Sequence, residues 1–412
     1  MNKQVLHHPT FTGLILLSGA DAPGVTQSLF ETLSPFLITV LDMEQVVIRG
    51  RLILTALIAL DPAHADGVED DLLLLGEKLN LDIAVDFTDI QRESDEETKA
   101  LQLVILSKEL RPQAIAKVAA VINSHHGNVD RFRRTASYPV TAIEFDVSLP
   151  LGNSVQDLQR DLAELALNQG IDLAIEAGGL TRRSKRIVLL DMDSTFIQQE
   201  VIDLLAEDAG VGSQVKEITE RAMSGELDFA QSLEARTALL AGLTEESLIS
   251  IRKRITLTPG ARTLVRTLHR LGHKVGIVSG GFTNVIEPLV LEMGLDFFRA
   301  NTLEVIDGKL TGKITGAIVD RAAKADFLKE FARNEGVPLS QTIAVGDGAN
   351  DLDMLKAAGL GIAFNAKPAV KAEADTSINT PYLDAILYLM GIPREEIEAA
   401  DRDVINDLRG YL

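Results

Sequence analysis

The chain has 412 residues, 40 Lys+Arg against 60 Asp+Glu, a formal net charge of −20 and no cysteine. That length and a 46% apolar fraction predict two or three packed domains and exclude a disordered or fibrous chain. The charge argues against nucleic-acid and anionic-membrane partners, which need a dense Lys/Arg stripe, and the missing cysteine rules out disulfides, thiolate nucleophiles and Cys-type metal sites.

The opening MNKQVLHHPTFTG has no apolar run before a small-residue cleavage site, and no stretch of 18 uncharged apolar residues occurs. A cytoplasmic protein is expected. Residues 1–92 and 98–180 read as two copies of one unit. The apolar run at 14–17 returns at 103–106, 89 positions on. Pro23 has its counterpart in Pro112, each set at the start of a helical pattern, where a missing N–H costs nothing. The alternation through Leu52, Leu54, Ala56 and Ile58 returns as Thr141, Ile143, Phe145 and Val147. Second helices are predicted over 69–79 and 154–167, and last strands over 81–87 and 171–175. The order βαββαβ predicts an antiparallel sheet with helices on one face, the ferredoxin-like pattern. Charged residues at 92–99 separate the copies as a solvated linker.

A second break falls at 178–185, and the rhythm then changes. Residues 187–190, 274–278 and 342–345 are continuous apolar runs, as in parallel strands buried on both faces. Strands alternating with helices over 185–412 predict an open, doubly wound α/β sheet. Residues 201–258, between the first two strands, are helical in pattern and too long for an ordinary connection, so a lid or cap is expected there.

Open α/β sheets bind ligands beyond the carboxyl ends of their strands. The first run is followed by Asp191-Met-Asp-Ser-Thr195, the second by Ser279-Gly-Gly281 and the third by Gly346-Asp-Gly-Ala-Asn-Asp351. An Asp after a strand is often only a helix cap, but joint occurrence at successive strand ends points to a site. Hard oxygen ligands without His or Cys suit Mg²⁺, and clustered aspartates call for a cation among them. Asp191 is a natural carboxylate nucleophile. Asp193 is spaced to protonate a departing alkoxide and then deprotonate water. Ser279 and Gly280 offer a hydroxyl and backbone N–H groups to phosphate. Lys324 reads either as a solvated lysine at a helix start or as the cation beside the nucleophile. At an effective dielectric near 20, such a pair about 4 Å apart gains about 4 kcal/mol before desolvation.

These four elements resemble the four motifs of the haloacid dehalogenase superfamily of Mg²⁺-dependent phosphotransferases. The stretches 191–200, 278–282 and 345–352 are similar to the signatures of its phosphoserine phosphatase family, and the resemblance covers about 185–390. It implies that Asp191 is phosphorylated and that Asp193 is the general acid/base. Mg²⁺ would then be held by the Asp191 carboxylate, the Asp193 backbone carbonyl and Asp347, with Asp351 supporting the metal's shell. Asn350 would help hold the phosphate, and Glu200 and Arg236 would take the ammonium and carboxylate of the substrate. Met223 and Phe229 match cap positions that exclude water. Taken alone, Glu200 also reads as a first-turn helix carboxylate, Arg236 as a surface charge, and Met223 and Phe229 as plain core. The resemblance implies hydrolysis of O-phospho-L-serine, the last step of serine biosynthesis.

The N-terminal copies resemble tandem ACT domains, modules that bind amino acids, through the βαββαβ order and Gly19-Ala-Asp-Ala-Pro-Gly-Val-Thr26. The second copy has no glycine at the matching 107–113 and so departs from the pattern, reading as mainly structural. Edge pairing of ACT sheets implies a homodimer. His269 and His273 have helical i, i+4 spacing, but Gly272 intervenes and no metal pair is expected. The pair His125 and His126 reads as a helix end. No P-loop is present. Two other readings keep the same residues: transfer of the phosphoryl group to another alcohol, and an amino-acid-sensing regulator with a vestigial phosphatase half.

Overall fold

A computed structural model describes residues 11–89, 97–179, 182, 184–223 and 226–410, with the side chains of Met223 and of residues 403–410 outside the description. The chain divides into two compact units, residues 1–96 and 97–412. Of the charged stretch 92–99 expected as a linker, residues 92–96 lie outside the described residues. Among the described residues, no helix is long and apolar enough to cross a membrane.

The first unit runs β1 (Phe11–Ala20), α1 (Val25–Leu33), β2 (Thr39–Ile48), β3 (Arg51–Ala59), α2 (Ala65–Leu79) and β4 (Asp82–Asp89). Its antiparallel sheet has the order β2-β3-β1-β4. Ile15, Leu17, Leu52, Leu54, Ala56 and Ile58 pack with Val25, Leu29, Val68 and Leu72 from the helices. The alternation along β3 therefore marks the helix-facing side, as its period of two requires.

The second unit begins with the same path: β5 (Thr98–Ser107), α3 (Pro112–Ser124), β6 (Asn128–Ala136), β7 (Thr141–Pro150), α4 (Val155–Gln169) and β8 (Asp172–Ala177), in sheet order β6-β7-β5-β8. Ser154 caps α4 by accepting from the Asp157 N–H at 3.2 Å, which satisfies one of the helix's free donors. The expected elements are all present in both copies, with α2 starting earlier than its apolar pattern.

Two details of the repeat differ from expectation. Leu17 pairs with Leu54 and Ile105 pairs with Ile143, so β1 and β5 correspond at an offset of 88, while β3 and β7 keep 89. A slip of one residue exchanges the faces of a strand. Leu14 and Leu16 accordingly lie on the side away from the helices, whereas Leu103 and Ile105 point toward them. Pro112 is the first residue of α3, but Pro23 precedes the Gly24 cap of α1 and stands outside the helix.

The remaining strands, β9 (Ile187–Leu190), β10 (Lys274–Phe282), β11 (Phe297–Ile306), β12 (Lys309–Thr315), β13 (Thr342–Gly346), β14 (Leu360–Phe364) and β15 (Thr376–Ile378), form one sheet. Its order is β12-β11-β10-β9-β13-β14-β15, parallel throughout except for the β11/β12 hairpin. Among its described residues, the insert after β9 folds as four helices, Val201–Asp208, Gly212–Met223, Phe229–Ala238 and Glu245–Arg252. Its two connecting segments are tied together by an Ile197–Leu257 bridge and by mutual hydrogen bonds of Gln199 with Thr256.

The second break is not a loose connection. Arg182 and Lys185 are buried: Arg182 pairs with Glu144 and Glu176 of the repeat and donates to the Leu389 carbonyl of the sheet domain. Asp172 of β8 accepts from the backbone and side chain of Asn379 and from the Thr380 N–H. Val104, Leu106, Ala136, Val140, Ala142 and Ala174 join the core of the sheet domain.

Candidate active site

The sheet order sets the site. β9 lies between β10 and β13, with Leu190 in register with Ile277 and Val345. The residues that follow the three strands therefore meet at one edge, the expected ligand position of such a sheet. The Asp191 N–H donates to the Val345 carbonyl at 2.8 Å, extending the ladder by one residue before the chain turns. The turn Met192–Phe196 then leaves Asp193 extended (φ −70°, ψ 135°) and Ser194 left-handed (φ 55°). A left-handed serine is costly for an L residue, and such strain gathers where a site needs it.

Lys324 is 1% exposed, and its Nζ lies 2.6 Å from both Asp191 Oδ1 and Asp351 Oδ1. The solvated alternative for this lysine is thereby overturned. Burial works against its charge, but the two carboxylates outweigh burial and raise its pKa. Its helix, Arg321–Asn334, is capped by Asp320, which accepts from the Ala323 N–H.

Asp191, Asp347 and Asp351 present carboxylate oxygens that all lie within 4.8 Å of one another. Burial and the Asp351 charge raise the Asp191 pKa well above the usual carboxylate range. Asp347 is pushed up to about 7 by burial and by the charges of Asp351 and Glu200. An oxygen-only donor set in which Asp191 and Asp347 resist ionisation fits a hard divalent cation, which restores their charged forms. Thr195, a residue to which the sequence assigned no role, is fully buried and donates to Asp347 Oδ1 at 3.3 Å. Gly346 leaves room for Asp351, whose side chain occupies the place a Cβ would take.

The Asp193 carboxylate is turned away from that triad. Its Oδ1 accepts from the Val201 N–H (3.0 Å), at the start of the first cap helix, and its Oδ2 from Ser279 Oγ (3.4 Å). Burial and the Glu200 charge push it up to about 7. The register of β10 against β11 breaks between Val278 and Phe282. In that break Ser279 Oγ accepts from the Gly281 N–H at 2.8 Å. A Cβ on Gly281 would stand 2.8 Å from Asp193 Oδ2, so only glycine permits this approach.

From the cap side, Glu200 precedes the helix Val201–Asp208 without capping it, and its carboxylate accepts from Ser194 Oγ at 2.7 Å. Arg236 is half-buried. Its Nε donates to the Ser232 carbonyl at 3.2 Å, and among the described residues no carboxylate lies within ion-pair reach of it. Burial lowers its pKa, and the fields of Glu200, Asp203 and Asp193 oppose that fall. Phe229 opens the helix Phe229–Ala238, with a ring atom 3.2 Å from where a Gly280 Cβ would sit. It therefore roofs the Ser279–Gly281 turn as well as packing against the core. The Asn350 side chain folds back over Gly348. Met223 closes its helix, and its side chain lies outside the description. His269 pairs with Asp296 rather than with His273, and His125 ends α3.

Comparison with known proteins identifies the domains. The haloacid dehalogenase-like hydrolase family model matches residues 188–356, and ACT domain models match 12–86 and 100–176. A phosphoserine phosphatase of Streptomyces coelicolor is 51% identical over 95% of this chain and 94% of its own length. The phosphoserine phosphatase SerB2 of Mycobacterium tuberculosis is 48% identical over 94% of this chain and 95% of its own. Among solved structures, a haloacid dehalogenase family hydrolase of Salmonella enterica serovar Typhi superposes with a TM-score of 0.62 at 30% identity, covering 70% of this chain and 98% of that one. A probable phosphoserine phosphatase of Vibrio cholerae gives 0.55 at 35% identity, over 73% and 88%.

Proposed function

The chain belongs to the phosphoserine phosphatase family of haloacid dehalogenase-like hydrolases, and from that premise we propose that it hydrolyses O-phospho-L-serine to serine and phosphate through a phosphorylated Asp191. The observation that carries this reading is the buried Lys324 bridging Asp191 and Asp351, with Asp347 beside them. Uncatalysed monoester hydrolysis is among the slowest of biological reactions, with accelerations up to about 10²¹ required, so charge stabilisation and positioning must dominate.

Asp191 attacks phosphorus in line, and the ester oxygen leaves with a proton from Asp193. The raised pKa of Asp193 suits a carboxyl that must carry a proton near neutrality. Asp193, then a carboxylate, takes a proton from the water that displaces the phosphoryl group from Asp191. Lys324 offsets the charge of the nucleophile and of the incoming phosphate. Ser279 and the Gly280 N–H cradle the phosphate oxygens, with Asn350 at its side. Glu200 takes the substrate ammonium in place of the Ser194 hydroxyl that donates to it, and the guanidinium fork of Arg236, without a carboxylate partner among the described residues, takes its carboxylate. Phe229 and Met223 keep water from the closed site. Mg²⁺, held by Asp191, Asp347 and the Asp193 carbonyl with Asp351 behind them, would supply Lewis-acid stabilisation of charge on the phosphoryl oxygens.

Regulation by an amino acid at the first repeat belongs to the same proposal. A surface cavity of about 820 Å³ there is lined by Gly19, Ala20, Arg51, Glu77 and Asp82, among others, and offers both charges a zwitterion needs. β2 is an edge strand exposed along its whole length, which suits pairing with a second copy. A cytoplasmic role in serine biosynthesis completes the reading. Asp191→Asn should reduce phosphoserine turnover to background, and chelation of divalent cations should do the same reversibly, both measured by phosphate release. Turnover surviving either treatment overturns the mechanism.

A further inference from the structure

Asn301 is 1% exposed, although it lies in a sheet strand, Phe297–Ile306, and carries an amide that must be satisfied there. Its Nδ2 donates to the Gly280 carbonyl at 2.8 Å, and its Oδ1 accepts from the Val319 N–H at 2.8 Å. Each partner can act in one sense only, so the orientation of the amide is fixed.

Both contacts fall on segments that carry the proposed chemistry. Gly280 sits where the β10/β11 ladder breaks, between Val278 and Phe282, and Phe282 resumes the pairing opposite Asn301 itself. The amide thus supplies a hydrogen bond that the broken ladder withholds. On its other side, Val319 immediately precedes Asp320, the cap of the helix that bears Lys324. One side chain therefore ties the turn against Asp193 to the entry of the lysine helix.

We propose that Asn301 is a positioning residue for phosphoryl transfer: it holds the Gly280 peptide so that the 279–281 turn is formed before substrate arrives, and fixes that turn relative to Lys324. Asn301 itself touches neither substrate nor the reacting atoms. The proposal rests on the phosphate-cradle reading of Ser279 and Gly280 given above.

Two substitutions test it. Asn301→Ala removes both bonds, while Asn301→Asp keeps an acceptor for Val319 but sets an oxygen against the Gly280 carbonyl. Each should lower kcat/KM for phosphoserine by about 10²-fold, the scale of a slightly misplaced reacting group. Each should weaken inhibition by inorganic phosphate about tenfold, as expected for a lost buried hydrogen bond. Variants that melt earlier but keep kcat/KM per folded molecule and phosphate inhibition would show a purely structural role and overturn the proposal. If Asn301→Ala does not fold, Asn301→Asp carries the same test. The unaltered enzyme provides a further one: the Gly281 amide hydrogen, which donates to Ser279 Oγ within the turn, should exchange slowly without ligand. Fast exchange that slows only when inorganic phosphate is added would mean that the ligand, not Asn301, forms the turn. Ser279→Ala separates the two readings. If it leaves phosphate inhibition intact, the cradle assignment falls; if it weakens inhibition while the Asn301 variants do not, only the present proposal falls.

Discussion

The two N-terminal repeats follow one path and differ in what lies against the second face of the sheet. In the first, the side away from the helices leaves Leu14, Leu16 and Ile53 exposed, at 38%, 47% and 44%. In the second, the same side carries Val104, Leu106, Ala142 and Ala174, all buried in the core of the phosphatase domain. β1 accordingly alternates, whereas Leu101 to Ser107 are buried without a break. A strand covered on both faces becomes part of a larger core. The second repeat is thus a structural extension of the catalytic domain, and the first a separate unit with a bare sheet face. Calorimetric tests of an amino-acid effector should cut the chain at 96/97, where the units part, and not after the second repeat.

The largest effect that would break this contrast is at Arg182. It is buried against Glu144 and Glu176 and holds backbone carbonyls of the phosphatase domain. Arg182→Met leaves Glu144 with Arg133 alone and Glu176 with Lys185 alone, and removes the donors to the Leu389 carbonyl, a loss of about 3 kcal/mol, the lower end for a broken buried pair because each carboxylate keeps one cation. Thermal unfolding should show the transition of residues 97–412 falling steeply, with phosphatase activity lost alongside it. An unchanged transition would mean that the second repeat is not built into the domain.

A matched pair of substitutions sharpens the point. Val104→Asp places a carboxylate in a sealed apolar core and should cost about 2–5 kcal/mol. Leu16→Asp, on the corresponding face of the first repeat, should change stability by only about 0.5 kcal/mol, read by chemical denaturation. Equal costs at the two positions would mean that the first sheet is as fully covered as the second.

Much of this was legible in the sequence. The strand ends that carry Asp191, Ser279 and Asp347 follow continuous apolar runs, and burial on both faces makes such runs readable without neighbours. Lys324 was ambiguous because a lysine at a helix start has the same local pattern whether it meets solvent or two carboxylates. Only the sheet order brings Asp191 and Asp351 to it. The register of β1 was misread by one residue, since a run of four apolar residues has no alternation to fix its phase. Asn301 escaped notice, and Thr195 was seen only as part of a motif with no role of its own, for a related reason. The partners of each lie far away in sequence, Asp347 for Thr195 and Gly280 and Val319 for Asn301. The same holds for Arg182 and Lys185, charged residues in a stretch that reads as a boundary and folds as an interface.

The smallest expected effect concerns pH. Asp172 and Glu176, at the interface of the second repeat, have pKa values raised by burial, with the Asn379 donors opposing the shift at Asp172 and Lys185 and Arg182 opposing it at Glu176. A carboxyl whose folded pKa is raised binds more protons folded than unfolded. Its contribution to stability is therefore present below the unfolded value, 3.8 for Asp172, and is lost as pH rises through the folded one. Asp172→Asn should remove that slope. Its remaining oxygen can still accept from the Asn379 and Thr380 backbone N–H groups, which share Oδ2, and Asn379 need only flip its amide to meet the new NH₂. The transition of residues 97–412 should then vary less between the unfolded carboxylate range and neutrality. Among the described residues of the first repeat, Thr12 is the only buried polar side chain, so the unfolding of residues 1–96 should lack this term. A pH slope that Asp172→Asn leaves intact would place the buried acid elsewhere and remove the interface from the account.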